Sequence, residues 1–163
     1  MSNDYSELSI NEIAEIEGFT DEYVVDESSS MSKWFGKILN TKVKELSDGD
    51  IAKLLRQNYH PFYIIPEAIK RIRINPIVGG LYDGEMLYSL SRVDALFWLE
   101  YKEIRAEVSL LLKELDNYKL VFLEEEKEEI NVEGQINRFK KLISELRSAI
   151  SQIEGEEFMF WSK

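Results

Sequence analysis

Apolar residues along this chain recur at three- and four-residue steps and nowhere alternate with polar ones for more than a few positions. That period predicts helices throughout. Ser9, with Glu12 three residues on, opens the first as a capping box ahead of Ile10, Ile13 and Ile16, and Gly18 ends it. A short helix over Met31 to Leu39 follows. Ser47-Asp48-Gly49-Asp50 starts another, with Ile51, Leu54, Leu55 and Asn58 on one face, and His60-Pro61 breaks it. Ile65, Ala68, Ile69 and Ile72 form the stripe of the next, which has Pro66 at its first turn or at a kink and stops at Asn75-Pro76. Gly79-Gly80 marks a turn, and Gly84-Glu85 opens a short helix through Leu87 and Leu90.

The longest helix is expected to start at a second capping box, Ser91-Arg92-Val93-Asp94. It runs through Leu96, Phe97, Tyr101, Ile104, Val108, Leu111, Leu112 and Leu115. Residues 120–130 suggest a short acidic helix. From Val132 to Ile153 the period is clear again, with Gly155 in the closing position that helices prefer. The apolar tail Phe158-Met159-Phe160-Trp161 is expected to dock back onto the core. The predicted fold is all-α, a compact multi-helix domain with a long antiparallel helix pair near the C-terminus.

Charge divides the chain in two. The 163 residues carry a net charge of −11, yet residues 1–30 hold nine acids and no lysine or arginine, leaving 22 acids against 20 bases in the rest. With the linker-like Asp26-Glu27-Ser28-Ser29-Ser30, this predicts an acidic, partly ordered N-terminal arm over 1–30 and a single helical domain over 31–163. A chain of this length buries roughly 70% of its unfolded surface and needs no covalent staples. Phosphates repel such a chain, so nucleic acid is excluded as a partner, and a basic protein is the complementary expectation. With no cysteine, no Sec-type start at Met1-Ser2-Asn3-Asp4 and no apolar run of ~18 residues, the expected setting is a reducing cytoplasm, away from the membrane.

Catalytic chemistry has little to stand on. The one histidine, His60, precedes a proline, so neither a Cys–His pair nor a histidine-rich metal site is available. Gly79-Gly80 and Gly84 lack the lysine and serine or threonine of a phosphate loop. Glu100 with Glu103 and Glu125 with Glu128 have the Glu-x-x-Glu spacing by which all-α nucleotide pyrophosphohydrolases hold magnesium, but so acidic a helical chain produces that spacing by chance. No cofactor and no metal are expected. A non-catalytic helical adaptor is a further alternative.

Two blocks carry more information. Leu55-Arg56-Gln57-Asn58 is followed by Ile64-Ile65-Pro66-Glu67-Ala68-Ile69, and Asn75-Pro76 by Gly80-Leu81-Tyr82-Asp83-Gly84-Glu85-Met86-Leu87. In this order and spacing, over roughly Thr41 to Trp98, the chain resembles the immunity proteins of bacterial contact-dependent growth inhibition systems. The resemblance implies a small cytoplasmic protein that binds the C-terminal domain of a cognate toxin and blocks it. Such toxin domains are commonly nucleases with basic substrate sites. Acidic segments expected to be exposed are then the natural contact set: Asp21, Glu22, Asp26, Glu27, Tyr82, Asp83, Glu85, Glu124, Glu125 and Glu126. Asp83 and Glu85 have a structural reading too, as cap and first-turn carboxylate of the helix after Gly84.

Overall fold

The structure is a computed structural model that describes residues 4–116 and 132–161, with side chains in the last helix described at 134 and 136–151. Among the described residues there are eight α-helices and no strand. They are α1 (Ile10–Ile16), α2 (Ser30–Ile38), α3 (Asp48–Arg56), α4 (Pro61–Ile74), α5 (Glu85–Ser91), α6 (Ala95–Glu100), α7 (Lys102–Asp116) and α8 (Val132–Trp161), with one 3₁₀ turn at Val43–Glu45. The all-α expectation holds. α5 sits at the centre, packed on α3, α4 and α8, while α8 also lies against α6 and α7.

The predicted stripes are the core. Ile51, Leu54 and Leu55 of α3, Ile65, Ala68 and Ile72 of α4, Met86, Leu87 and Leu90 of α5, and Val108 and Leu111 of α7 are buried together with Trp98, Phe139 and Leu146. Each of the larger aliphatic and aromatic side chains among them contributes about 1.5–3 kcal/mol by leaving water. Among the described residues, the stripe of α7 and that of α8 from Phe139 to Ile150 are thus spent inside the domain. α7 meets α8 partway along it, with Asp116 at the end of α7 paired to Arg147.

The capping box at Ser9 forms as the spacing predicts. The Glu12 amide donates to Ser9 Oγ, and Ser9 N–H donates to Glu12 Oε1, both at 3.1 Å. Ile10 and Ile13 are fully buried. Backbone bonds from Asn11 N–H to the Leu39 carbonyl, Val43 N–H to Leu8 and Lys44 N–H to Ser6 tie this helix to residues 39–44. Gly18, at φ +95°, closes α1 in a Schellman arrangement: Phe19 N–H donates to the Ala14 carbonyl and Gly18 N–H to that of Glu15.

Three local expectations fail, each for a physical reason. Ser91 ends α5 instead of capping the next helix, because its hydroxyl donates back to the Tyr88 carbonyl while Asp94 caps α6 through Leu96 N–H. The long helix then breaks at Tyr101 (φ −106°, ψ 75°) into α6 and α7. The buried Arg105 guanidinium takes up the Trp98 carbonyl at 3.3 Å, satisfying an acceptor the break leaves free. Gly155 does not close α8, whose backbone continues to Trp161; a helix-interior glycine is only about 1 kcal/mol worse than alanine. In α4 it is Pro61 that occupies the first turn, and Pro66 lies inside the helix. The suggested helix over 120–130 and the docking of the Phe158–Trp161 side chains lie outside the described residues.

Candidate functional site

The two sequence blocks meet in space around one carboxylate. Glu85 is fully buried at the start of α5. Its Oε1 accepts from the amides of Gly80 (2.8 Å) and Leu81 (3.0 Å), and its Oε2 pairs with Arg56 Nη1 of α3 at 3.0 Å. The same guanidinium nitrogen reaches Ser89 Oγ at 2.9 Å, and Ser89 in turn donates to the Glu85 carbonyl at 2.7 Å. A carboxylate taken out of water needs such a set of donors to remain there.

The neighbouring glycines are sterically required. A Cβ on Gly79 would lie 2.1 Å from the Tyr82 carbonyl oxygen and 2.7 Å from Glu85 Cβ, and one on Gly80 would lie 2.6 Å from the Gly49 backbone. Gly84, at φ +86°, stands at the N-cap of α5, so Asp83 does not cap it. A second polar cluster backs the first: Arg71 of α4 binds Glu67 at 3.1 Å and Asp48 at 3.0 Å, and reaches the carbonyls of Val43 and Lys44. Arg56 therefore binds a buried carboxylate. Asn58 leaves the apolar face of α3, stands exposed, and accepts from Asp94 N–H through Oδ1 at 2.7 Å.

The expected contact residues that lie among the described residues fall into three groups. Glu85 belongs to the interior and has no surface to offer. Tyr82 and Asp83 are exposed beside it, with Arg138 of α8 over the Tyr82 ring at 5.2 Å. Asp21, Glu22, Asp26 and Glu27 are all exposed on the segment between α1 and α2. The Ser28 hydroxyl and amide hold the Asp26 carboxyl below its ordinary pKa. Glu124, Glu125 and Glu126 lie outside the described residues. Of the residues of the metal alternative, Glu100 and Glu103 are both exposed and stand on either side of the break at Tyr101. Glu125 and Glu128 are outside the described residues, and among those described no group of three or more His, Cys, Asp or Glu side chains is placed to hold a metal.

Sequence reasoning missed an apolar component on the same acidic face. Of the large apolar residues exposed among the described residues, Phe19, Tyr23, Val24, Val25 and Tyr59 gather here, with Phe19 at 63% and Val24 at 82% exposure. Tyr23 packs edge-on to Phe35 of α2 at 5.0 Å, and Gly36 gives Val25 room to lie on that helix. Tyr59 also packs against Phe35, its ring tilted, at 4.9 Å. It sits between two non-glycine residues in the left-handed region, Asn58 (φ 55°) and His60 (φ 54°). Such conformations persist only where the surroundings enforce them. His60 is nearly buried, with Nδ1 at 3.1 Å from Glu17 Oε2 but without hydrogen-bond geometry. The available signal was Phe19 to Val25, an apolar-rich stretch after a helix stop with no helical period.

Fold and site together define an all-α domain with a polar hub closed inside it and an acidic, aromatic face outside. The family model of CDI immunity proteins matches residues 15–108, more than half of the chain, and the chain belongs to that family. Its partner is accordingly a cognate toxin. No curated protein matches the sequence. No described helix is long and apolar enough to cross a membrane.

Proposed function

We propose that this immunity protein protects the cell that makes it by binding the C-terminal domain of its toxin in the cytoplasm. It covers the toxin's active or substrate-binding site and performs no chemistry of its own. In this reading the toxin domain is basic and a nuclease, and the inhibitor's carboxylates stand where nucleic-acid phosphates would lie. One observation carries it: residues 1–30 hold nine acids and no base, and Asp21, Glu22, Asp26 and Glu27 are all exposed. Opposite fields speed the encounter of such a face with a basic site and disfavour other partners.

The test is co-expression. The C-terminal domain of the protein encoded immediately upstream is produced with and without this chain, following growth and complex formation. Growth arrest by the domain alone, relieved by this chain with recovery of a stable complex, is the expected result. Arrest that this chain does not relieve refutes the proposal. Nuclease character is tested separately, by degradation of cellular RNA or DNA during the arrest.

A further inference from the structure

The acidic segment does more than carry charge, because it walls a cleft. A concavity of about 520 Å³ lies between residues 18–24, α2 and the α3–α4 turn. Phe19, Tyr23, Phe35, Leu39 and Tyr59 supply its apolar surface, Asp21 and Glu22 line it as well, and no lysine or arginine does. Among the described residues, no backbone–backbone hydrogen bond involves residues 20–25, so the wall still has N–H and C=O groups to offer. Of the exposed large apolar side chains among the described residues, Phe19, Tyr23, Val24 and Tyr59 line this one feature.

We infer that this cleft is where the toxin seats, receiving an apolar side chain of the toxin flanked by lysine or arginine. The inference rests on the immunity reading above and adds to it the surface and the chemistry that fits. Aromatic and aliphatic groups in a concave, water-excluding centre are the residues that dominate interface energies, and carboxylates around them select a cationic surround. Tyr23 and Tyr59 are held in place by Phe35, so little side-chain freedom is lost on binding. The acids alone would attract any basic surface; the cleft is the feature that can choose among them.

The experiment measures the affinity of the purified upstream-encoded toxin domain for the full chain and for three variants. Phe19→Ala with Val24→Ala removes the two most exposed apolar groups near the cleft and is expected to weaken binding at least about 30-fold. Asp21→Lys with Glu22→Lys is expected to slow association at low salt and to flatten its salt dependence, since an attraction is removed. Leu96→Ser, an equally exposed apolar residue on α6 at 70% exposure, is expected to leave binding unchanged. If the unmodified chain fails to bind, the proposed function falls. If it binds and the Phe19/Val24 variant binds within threefold of it, the cleft assignment falls while the function stands. If the chain alone forms a dimer that the Phe19/Val24 variant dissolves, the cleft is a self-association surface and the assignment also falls. Circular dichroism of each variant shows that the fold is intact.

Discussion

Replacing Arg56 with methionine puts the interior hub to the test. Methionine keeps the unbranched stem and removes the only cation that pairs with Glu85 among the described residues. The Gly80 and Leu81 amides remain, but the fully buried carboxylate then lacks an opposite charge and Ser89 Oγ loses its guanidinium donor. Breaking a buried pair from one side costs about 3–5 kcal/mol. Against a total of about 5–15 kcal/mol for a domain, that is a large share. With a urea slope of about 2 kcal/mol/M, the unfolding midpoint falls by about 1.5–2.5 M. Equilibrium unfolding in urea, followed by circular dichroism, reads this directly. Glu85→Gln keeps an acceptor for the two amides, so combining it with Arg56→Met is expected to cost at least about 1 kcal/mol less than the two single changes summed. A single-variant cost below about 1 kcal/mol, or strict additivity, would refute the account of the hub as a charge-paired interior.

Three further outcomes follow from the same geometry. Gly79→Ala forces a methyl against the Tyr82 carbonyl and Glu85 Cβ, and is expected to lower the thermal midpoint by about 3–10 °C, from about 1–3 kcal/mol of overpacking, in a differential scanning measurement. Ser9→Ala removes the acceptor for Glu12 N–H and is expected to cost about 1 kcal/mol in urea, with loss of amide-exchange protection confined to the first turn of α1. Glu7 is held below its usual value of 4.5 by hydrogen bonds from Lys44 and then Lys42. A depressed carboxyl stabilises the fold above its unfolded value and loses that contribution as pH falls through the folded one. The melting-point gap between the unmodified chain and Glu7→Gln should therefore be present near neutral pH and narrow as the solution is acidified; a gap that does not narrow in acid contradicts the pairing.

The helices were legible because their stripes and caps are local. Ile10 and Ile13 behind the Ser9 box, and Ile51, Leu54 and Leu55 behind Ser47, are where the period puts them. The failures come where distant groups intervene. Ser91 and Asp94 both look like caps, and only the back-bond to Tyr88 decides between them. The break at Tyr101 is supported by Arg105 reaching back seven residues. Glu85 looks like a surface carboxylate until Arg56, 29 residues earlier, is seen beside it. The acidic face was readable from composition. Its cleft was not, because Phe19, Phe35 and Tyr59 come from three separate stretches of chain.

The burial of Glu85 bears on how such proteins are told apart. Arg56, Gly79, Gly80 and Glu85 are occupied with one another, so a sequence that keeps them announces its architecture and is silent about its target. Two chains could share every one of these residues and guard against unrelated poisons. Matching an antidote to its poison is then a matter of comparing outer walls. On the proposed assignment of the cleft, grafting the stretch around Phe19 to Glu27 from one chain onto another is expected to exchange their targets while leaving the chassis untouched.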